Sequence, residues 1–220
     1  MTDFARERET MVDRQIAGRG VRDRRVLAAM REVPRERFIP DHLIASAYED
    51  SPLPIEAEQT ISQPYIVALM IEAAGIAPGA KVLEIGAGSG YAAAVIGRIA
   101  GEVIAIERHA ALAALAAARM RRLGYDNVRI VHGDGSCGCP EEAPFDAILA
   151  AASGSHVPDV LRSQLRIGGT LVMPVGAPAA IQKLVRVTRT GVEAFEEQDL
   201  GQVRFVPLIG AQGWDEQDGG

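Results

Sequence analysis

One pattern constrains this chain more than any other. After Pro78-Gly79, short apolar runs at 82–85, 103–106, 128–131, 147–150 and 170–175 alternate with helix-length segments at 91–99, 110–123 and 157–165. Runs this short and mostly apolar suit strands covered on both faces, and connections long enough for a helix make neighbouring strands parallel. The expected fold is α/β, a doubly wound, mostly parallel sheet. The stretches 182–188 and 203–208 also read as strands, but no helix-length segment separates them, so they are expected to extend the sheet in antiparallel fashion. Upstream, 7–39 is helical in pattern, with Met11, Ile16, Val26, Leu27, Met30 and Val33 apolar, Gly18 and Gly20 interrupting, and Asp23 placed to cap a second helix. Pro34, Pro40, Pro52 and Pro54 punctuate an irregular stretch up to Gln63, and 64–74 reads as a helix opened by proline. The chain thus divides into an N-terminal helical and loop extension (1–63), an α/β domain (64–213) and an acidic, glycine-ended tail (214–220) expected to fray.

Composition narrows the partners. Across 220 residues, 48% hydrophobic and 24% charged residues exclude a disordered or fibrous chain. A net charge of -6 argues against nucleic acid or an anionic membrane as partner, and a monomer is expected. Residues 1–40 carry ten Arg against seven acids, but the signs are interspersed, as on solvated helix faces. Cys137 and Cys139, the two cysteines, are too close in sequence for an unstrained disulfide. A reducing compartment follows, and without a signal-like start or a bilayer-length apolar run the expected location is the cytoplasm. Cys137, Cys139 and His132 are too few for a metal site, so none is expected. His42, His109, His132 and His156 have no triad spacing.

The first strand, Lys81-Val82-Leu83-Glu84-Ile85, runs into Gly86-Ala87-Gly88-Ser89-Gly90, which puts a glycine loop where open α/β sheets bind ligands. The spacing is Gly-x-Gly-x-Gly, with Tyr91 at the place of the third glycine of the dinucleotide fingerprint, which disfavours a nicotinamide dehydrogenase. Glu107 ends the next strand, where its carboxylate can accept both ribose hydroxyls. Gly133-Asp134-Gly135 ends the third and offers an acceptor for an adenine amino group. No Lys or Arg stands in the loop to neutralise a phosphate. Acidic walls that include Glu84 suit a cationic adenosine, S-adenosylmethionine, and methyl transfer is the expected chemistry.

Ahead of the 64–74 helix lies the polar segment Glu58-Gln59-Thr60-Ile61-Ser62-Gln63-Pro64-Tyr65. On local pattern alone, Ser62 reads as a helix cap. Together with Val82-Leu83-Glu84-Ile85-Gly86-Ala87-Gly88-Ser89-Gly90-Tyr91, Gly133-Asp134-Gly135, Ala143-Pro144-Phe145-Asp146-Ala147-Ile148 and Val203-Arg204-Phe205-Val206-Pro207-Leu208, this segment resembles the protein-L-isoaspartate (D-aspartate) O-methyltransferases over nearly the whole chain. The glycine loop is common to many methyltransferases, whereas Gln-Thr-Ile-Ser-Gln-Pro joined to a late Val-Arg-Phe-Val-Pro-Leu is specific. The resemblance implies a Rossmann-like class I methyltransferase fold and methyl-esterification of the free α-carboxylate of L-isoaspartyl residues, the first step of their repair. It implies Ser62 as the catalytic residue and Thr60, Gln63 and Val206 as substrate-binding positions. Glu84, Gly86, Ala87, Gly88, Gly90, Glu107, Arg108, Asp134 and Gly135 are implied for the cofactor. Two positions depart from the family: Glu58 and Ala151 stand where Gly and Thr are usual, and Glu58 brings negative charge toward a site for a carboxylate.

The chemistry asks little of the protein. A carboxylate is already ionised at neutral pH, so no general base is required, and alignment in a water-poor site supplies the acceleration. Two other readings stand beside this one: a methyltransferase moved to another peptide carboxylate, and a cofactor-binding partner protein without turnover.

Overall fold

The computed structural model describes residues 3–215 and 217. In chain order the helices are α1 (Phe4–Thr10), α2 (Arg24–Glu32), α3 (Pro64–Ala74), α4 (Tyr91–Gly97), α5 (Ala110–Leu123) and α6 (Asp159–Ser163). The strands are β1 (Leu53–Pro54), β2 (Thr60–Ile61), β3 (Lys81–Ile85), β4 (Glu102–Glu107), β5 (Val128–His132), β6 (Phe145–Ala150), β7 (Leu165–Val175), β8 (Gln182–Arg189) and β9 (Phe195–Val203). Seven strands form one sheet in the order β5-β4-β3-β6-β7-β8-β9, parallel from β5 to β7 and antiparallel beyond. The chain leaves β3 toward β4 on one side and later crosses to β6 on the other, which opens a crevice at the carboxyl ends of those central strands.

The runs in β3, β4, β6 and β7 become strands because both of their faces are buried, while β5 at the sheet edge is partly exposed. Val82, Val103, Ala105, Ala147 and Leu149 join the core under α2, α3 and α4, while Leu83, Ile85, Ile104, Ile106 and Ile148 join a second core that includes Leu161 of α6. A fully buried Leu, Ile or Val contributes about 1.5–3 kcal/mol, so strands apolar on both faces are held between the two layers. Asp23 does cap α2, accepting from Arg25 N–H at 2.8 Å. After α1 the helix widens into a π-helical stretch, Met11–Ile16, and ends in a tight turn at Gly20, whose φ of 111° needs glycine.

Three expectations are corrected. The last strand is Phe195–Val203, so of the expected 203–208 strand only Val203 pairs with β8, and 204–208 leaves the sheet. Phe195–Val203 is mostly exposed and rich in Glu, Gln and Asp, so it has no apolar period. It is an edge strand held by backbone pairing and by Lys183–Asp199 at 3.6 Å, and its charges discourage further pairing. Trp214 is not frayed: its N–H donates to Leu208 O at 2.7 Å and its indole Nε1 to Ser153 O at 2.9 Å. Of the remaining tail, 216 and 218–220 lie outside the described residues. The segment before Gln63, expected to be irregular, contains the short antiparallel pair β1–β2, with Leu53 opposite Ile61.

Candidate active site

The glycine loop follows β3 into α4 because Gly86, Gly88 and Gly90 take φ of 85°, 53° and 88°, a region costly for other residues. The loop floors a cavity of about 1040 Å³ at the carboxyl ends of β3, β4 and β6. Ser62, Thr60, Gln63, Glu84, Gly86, Ala87, Gly88, Glu107, Arg108, Gly135 and Val206 all line it. Gly135 is required by packing, since a Cβ there would stand 2.6 Å from Ile85 Cγ2.

Two of the expected cofactor residues do not line the cavity. Gly90 is the N-cap of α4, and a Cβ on it would stand 3.0 Å from Met120 Cε, so its role is in packing α4 on α5. Asp134 turns its carboxylate to the protein: one oxygen accepts from Ser136 N–H and the other from Ala211 N–H, both at 2.8 Å. Burial pushes the Asp134 carboxyl up, but the bonds from Ser136, Ala211 and Cys137 outweigh it and hold the group below its usual range. The adenine contact expected of Asp134 therefore has a competitor in the C-terminal segment.

Glu107 is 4% exposed and bonded on both oxygens, Oε2 accepting from Gly88 N–H at 2.8 Å and Oε1 from His109 N–H at 2.9 Å. A carboxylate offers about four acceptor positions, so two remain for a ligand. Glu84 is 2% exposed, and its Oε2 is buried with no hydrogen-bond partner among the described residues. Burial, and then the charge of Glu107, pushes the Glu84 carboxyl up to about 8. An orphaned buried carboxyl on a cavity wall, facing a second acid, calls for a cation from outside the chain.

The N-terminal extension contributes Gln59–Gln63 to the cavity wall. Ser62 is half-buried and does not cap α3; Gln63 holds the cap position, without a side-chain cap bond. Asp50, distant in sequence, replaces it by accepting from Tyr65 N–H at 3.3 Å. The Asp50 carboxylate also accepts from Gln63 Nε2 at 2.7 Å and pairs with Arg19, whose guanidinium stacks 3.6 Å over the Tyr65 ring. Arg119 of α5 ties the two halves together, donating to Ser89 O at 3.3 Å and pairing with Glu56 at 3.2 Å. Sequence reasoning missed Asp50, Arg19 and Arg119, because each acts across a fold contact that no local pattern encodes. Tyr91 is buried against Arg35 and Phe38, and so anchors α4 to the extension.

Glu58 lies at φ 58° and is exposed, outside the cavity lining. Glycine adopts that conformation without strain, and the Glu58 charge lies outside the cavity lining. Ala151 does line the cavity, and a Cβ on Gly86 would meet its Cβ at 3.6 Å.

A site with room for an adenosine, acidic toward a cation and without a loop cation for phosphate, on a sheet with this order, belongs to an S-adenosyl-L-methionine-dependent methyltransferase. Comparison with known proteins narrows the class. The family model of protein-L-isoaspartate(D-aspartate) O-methyltransferase matches residues 6–213, and the chain belongs to that family. It is similar to protein-L-isoaspartate O-methyltransferase 1 of Rhodopseudomonas palustris (strain HaA2), with 61% identity covering 97% of this chain and 87% of the relative. A solved protein-L-isoaspartate O-methyltransferase superposes with a TM-score of 0.84 and 31% identity, over 93% of this chain and 66% of that longer one. A Plasmodium falciparum candidate for the same activity, solved in complex with S-adenosyl-L-homocysteine, gives a TM-score of 0.78 at 27% identity, over 92% and 98% of the two chains.

Proposed function

We infer that this chain transfers a methyl group from S-adenosyl-L-methionine to the free α-carboxylate of L-isoaspartyl residues in damaged proteins, and so initiates their repair. The observation that carries the reading is the meeting, in one cavity, of Ser62 from the N-terminal extension with the glycine loop and Glu107 of the α/β domain. S-adenosyl-L-methionine supplies an electrophilic methyl on a sulfonium centre. The residues of this chain bind, align and exclude water. Glu107 takes the ribose hydroxyls, and Glu84 balances the cationic end. Ser62 donates a hydrogen bond to the acceptor oxygen, with Thr60 and Gln63 beside it and Val206 across the cleft. The acceptor is ionised at neutral pH and needs no base. The unpaired thiols of Cys137 and Cys139 fit action in a reducing compartment, the cytoplasm. The net charge of -6 supports a polypeptide acceptor over nucleic acid or membrane.

The test is methyl transfer to two synthetic peptides that differ only in carrying L-isoaspartate or L-aspartate. In isoaspartate the free carboxylate sits on the α-carbon, so a site that holds the flanking backbone displaces the aspartyl carboxylate by about an ångström, which costs on the order of a hundredfold. Transfer confined to the isoaspartyl peptide is expected. Equal rates would assign the enzyme to another peptide carboxylate, and cofactor binding without transfer to either would reject isoaspartate as the acceptor.

A further inference from the structure

Beyond Val203 the chain runs along the acceptor side of the cavity without a strand to lean on. Val203 pairs with Gln182, the first residue of β8, so β8 offers no backbone for Phe205. Pro207 has no N–H to contribute. The missing rung is supplied by a side chain. Gln182 Oε1 accepts from Phe205 N–H at 2.7 Å, and Gln182 Nε2 donates to Phe205 O at 3.1 Å, the two bonds a neighbouring strand would make. The same Nε2 lies 3.2 Å from Ser153 Oγ and 3.4 Å from Ala177 O. On the opposite side Ser153 N–H donates to Val206 O and Leu208 N–H donates to Ser153 O, both at 2.8 Å. The segment is thus suspended between two buried polar residues, Gln182 at 1% and Ser153 at 0% exposure, while Val206 is 37% exposed at the cavity.

Gln182 itself does not line the cavity, and Gly176 packs against it so closely that a Cβ there would stand 3.1 Å from Gln182 Cγ. Only an amide presents an acceptor and donors in one plane at this place. A carboxylate would face two carbonyl oxygens without a proton, and an aliphatic side chain of similar size would leave Phe205 N–H and O unpaired.

We propose that Gln182 is a positioning residue for the acceptor half of the cleft: it holds 204–207 in place along the cavity wall, and it acts on acceptor affinity without touching substrate. The proposal rests on the methyltransferase reading above. The cofactor half stands on β3 and β4 and does not share these bonds, so the two halves are separable by experiment.

The full-length wild type, Gln182→Leu and Gln182→Glu are compared in steady-state transfer to an isoaspartyl peptide, with S-adenosyl-L-homocysteine affinity measured by calorimetry. Both variants are expected to raise the peptide KM roughly tenfold or more, to change kcat less, and to leave the S-adenosyl-L-homocysteine Kd within about twofold. Should the Leu variant not fold, the isosteric Glu variant carries the same expectation. An unchanged peptide KM in a folded variant, with the wild type active, overturns the role of Gln182 alone. Parallel loss of S-adenosyl-L-homocysteine affinity also overturns it, since that is the mark of general destabilisation. A wild type that leaves the isoaspartyl peptide unmethylated overturns the functional reading, and this proposal with it.

Discussion

Glu84→Gln isolates the acid of the site whose Oε2 has no partner among the described residues. Its carboxyl is pushed from 4.5 up to about 8, by burial first and by the Glu107 charge second. Below about pH 4.5 the folded and unfolded chains both hold this proton. Between there and about pH 8 the folded chain keeps it while the unfolded chain gives it up, so stability is fully present at low pH and falls as pH rises through the window. At about 1.4 kcal/mol per unit, the loss reaches roughly 3 kcal/mol by pH 7. Glutamine keeps the shape and removes the titration. The difference in urea-unfolding free energy between variant and wild type is therefore expected to move in favour of the variant by roughly 3 kcal/mol from pH 4.5 to 7, with all other titrating groups cancelling. Binding of S-adenosyl-L-methionine, a cation, should have the opposite dependence. Wild type is expected to release a proton on binding at pH 7, seen by calorimetry in buffers of different ionisation enthalpy, and Glu84→Gln to release none while binding more weakly. A stability difference that stays flat between pH 4.5 and 7, or wild-type binding without proton release, would refute the argument.

Glu107→Ala removes the proposed ribose acceptor and also frees Gly88 N–H and His109 N–H, so cofactor affinity by calorimetry should fall at least about tenfold, on the order of 2–4 kcal/mol, with the fold retained. Ser62→Ala should lower methyl transfer roughly 10- to 1000-fold with S-adenosyl-L-homocysteine affinity unchanged, and because Ser62 does not cap α3, thermal unfolding should move little. Glu58→Gly relieves a left-handed residue at φ 58° and is expected to raise stability by about 0.5–1 kcal/mol in urea unfolding, with turnover unaltered.

Much of the cofactor half was legible before any coordinates. Glu84, Gly86, Gly88 and Glu107 sit at strand ends or in the turn that follows, and both features are written in consecutive residues. The acceptor half was legible only through resemblance. Locally, Ser62 looks like a cap, and it is Asp50 that accepts from the α3 N-terminus. Asp134 is expected from its strand-end position to offer adenine an acceptor, but one of its oxygens accepts from Ser136 N–H and the other from Ala211 N–H, 77 positions away.

The sequence by itself determined the central parallel strands, their buried faces and the glycine turn, because hydrophobic period and positive φ are properties of neighbouring residues. Tertiary structure alone decided that polar Phe195–Val203 is the edge strand and that 204–208 leaves the sheet for the cavity. It also decided that Arg119 bridges Ser89 and Glu56, that Gln182 substitutes for a strand at Phe205, and that Glu84 Oε2 is left without a partner among the described residues. Each of these depends on which distant groups meet after folding and on how much water remains between them, and neither quantity exists until the layers have packed.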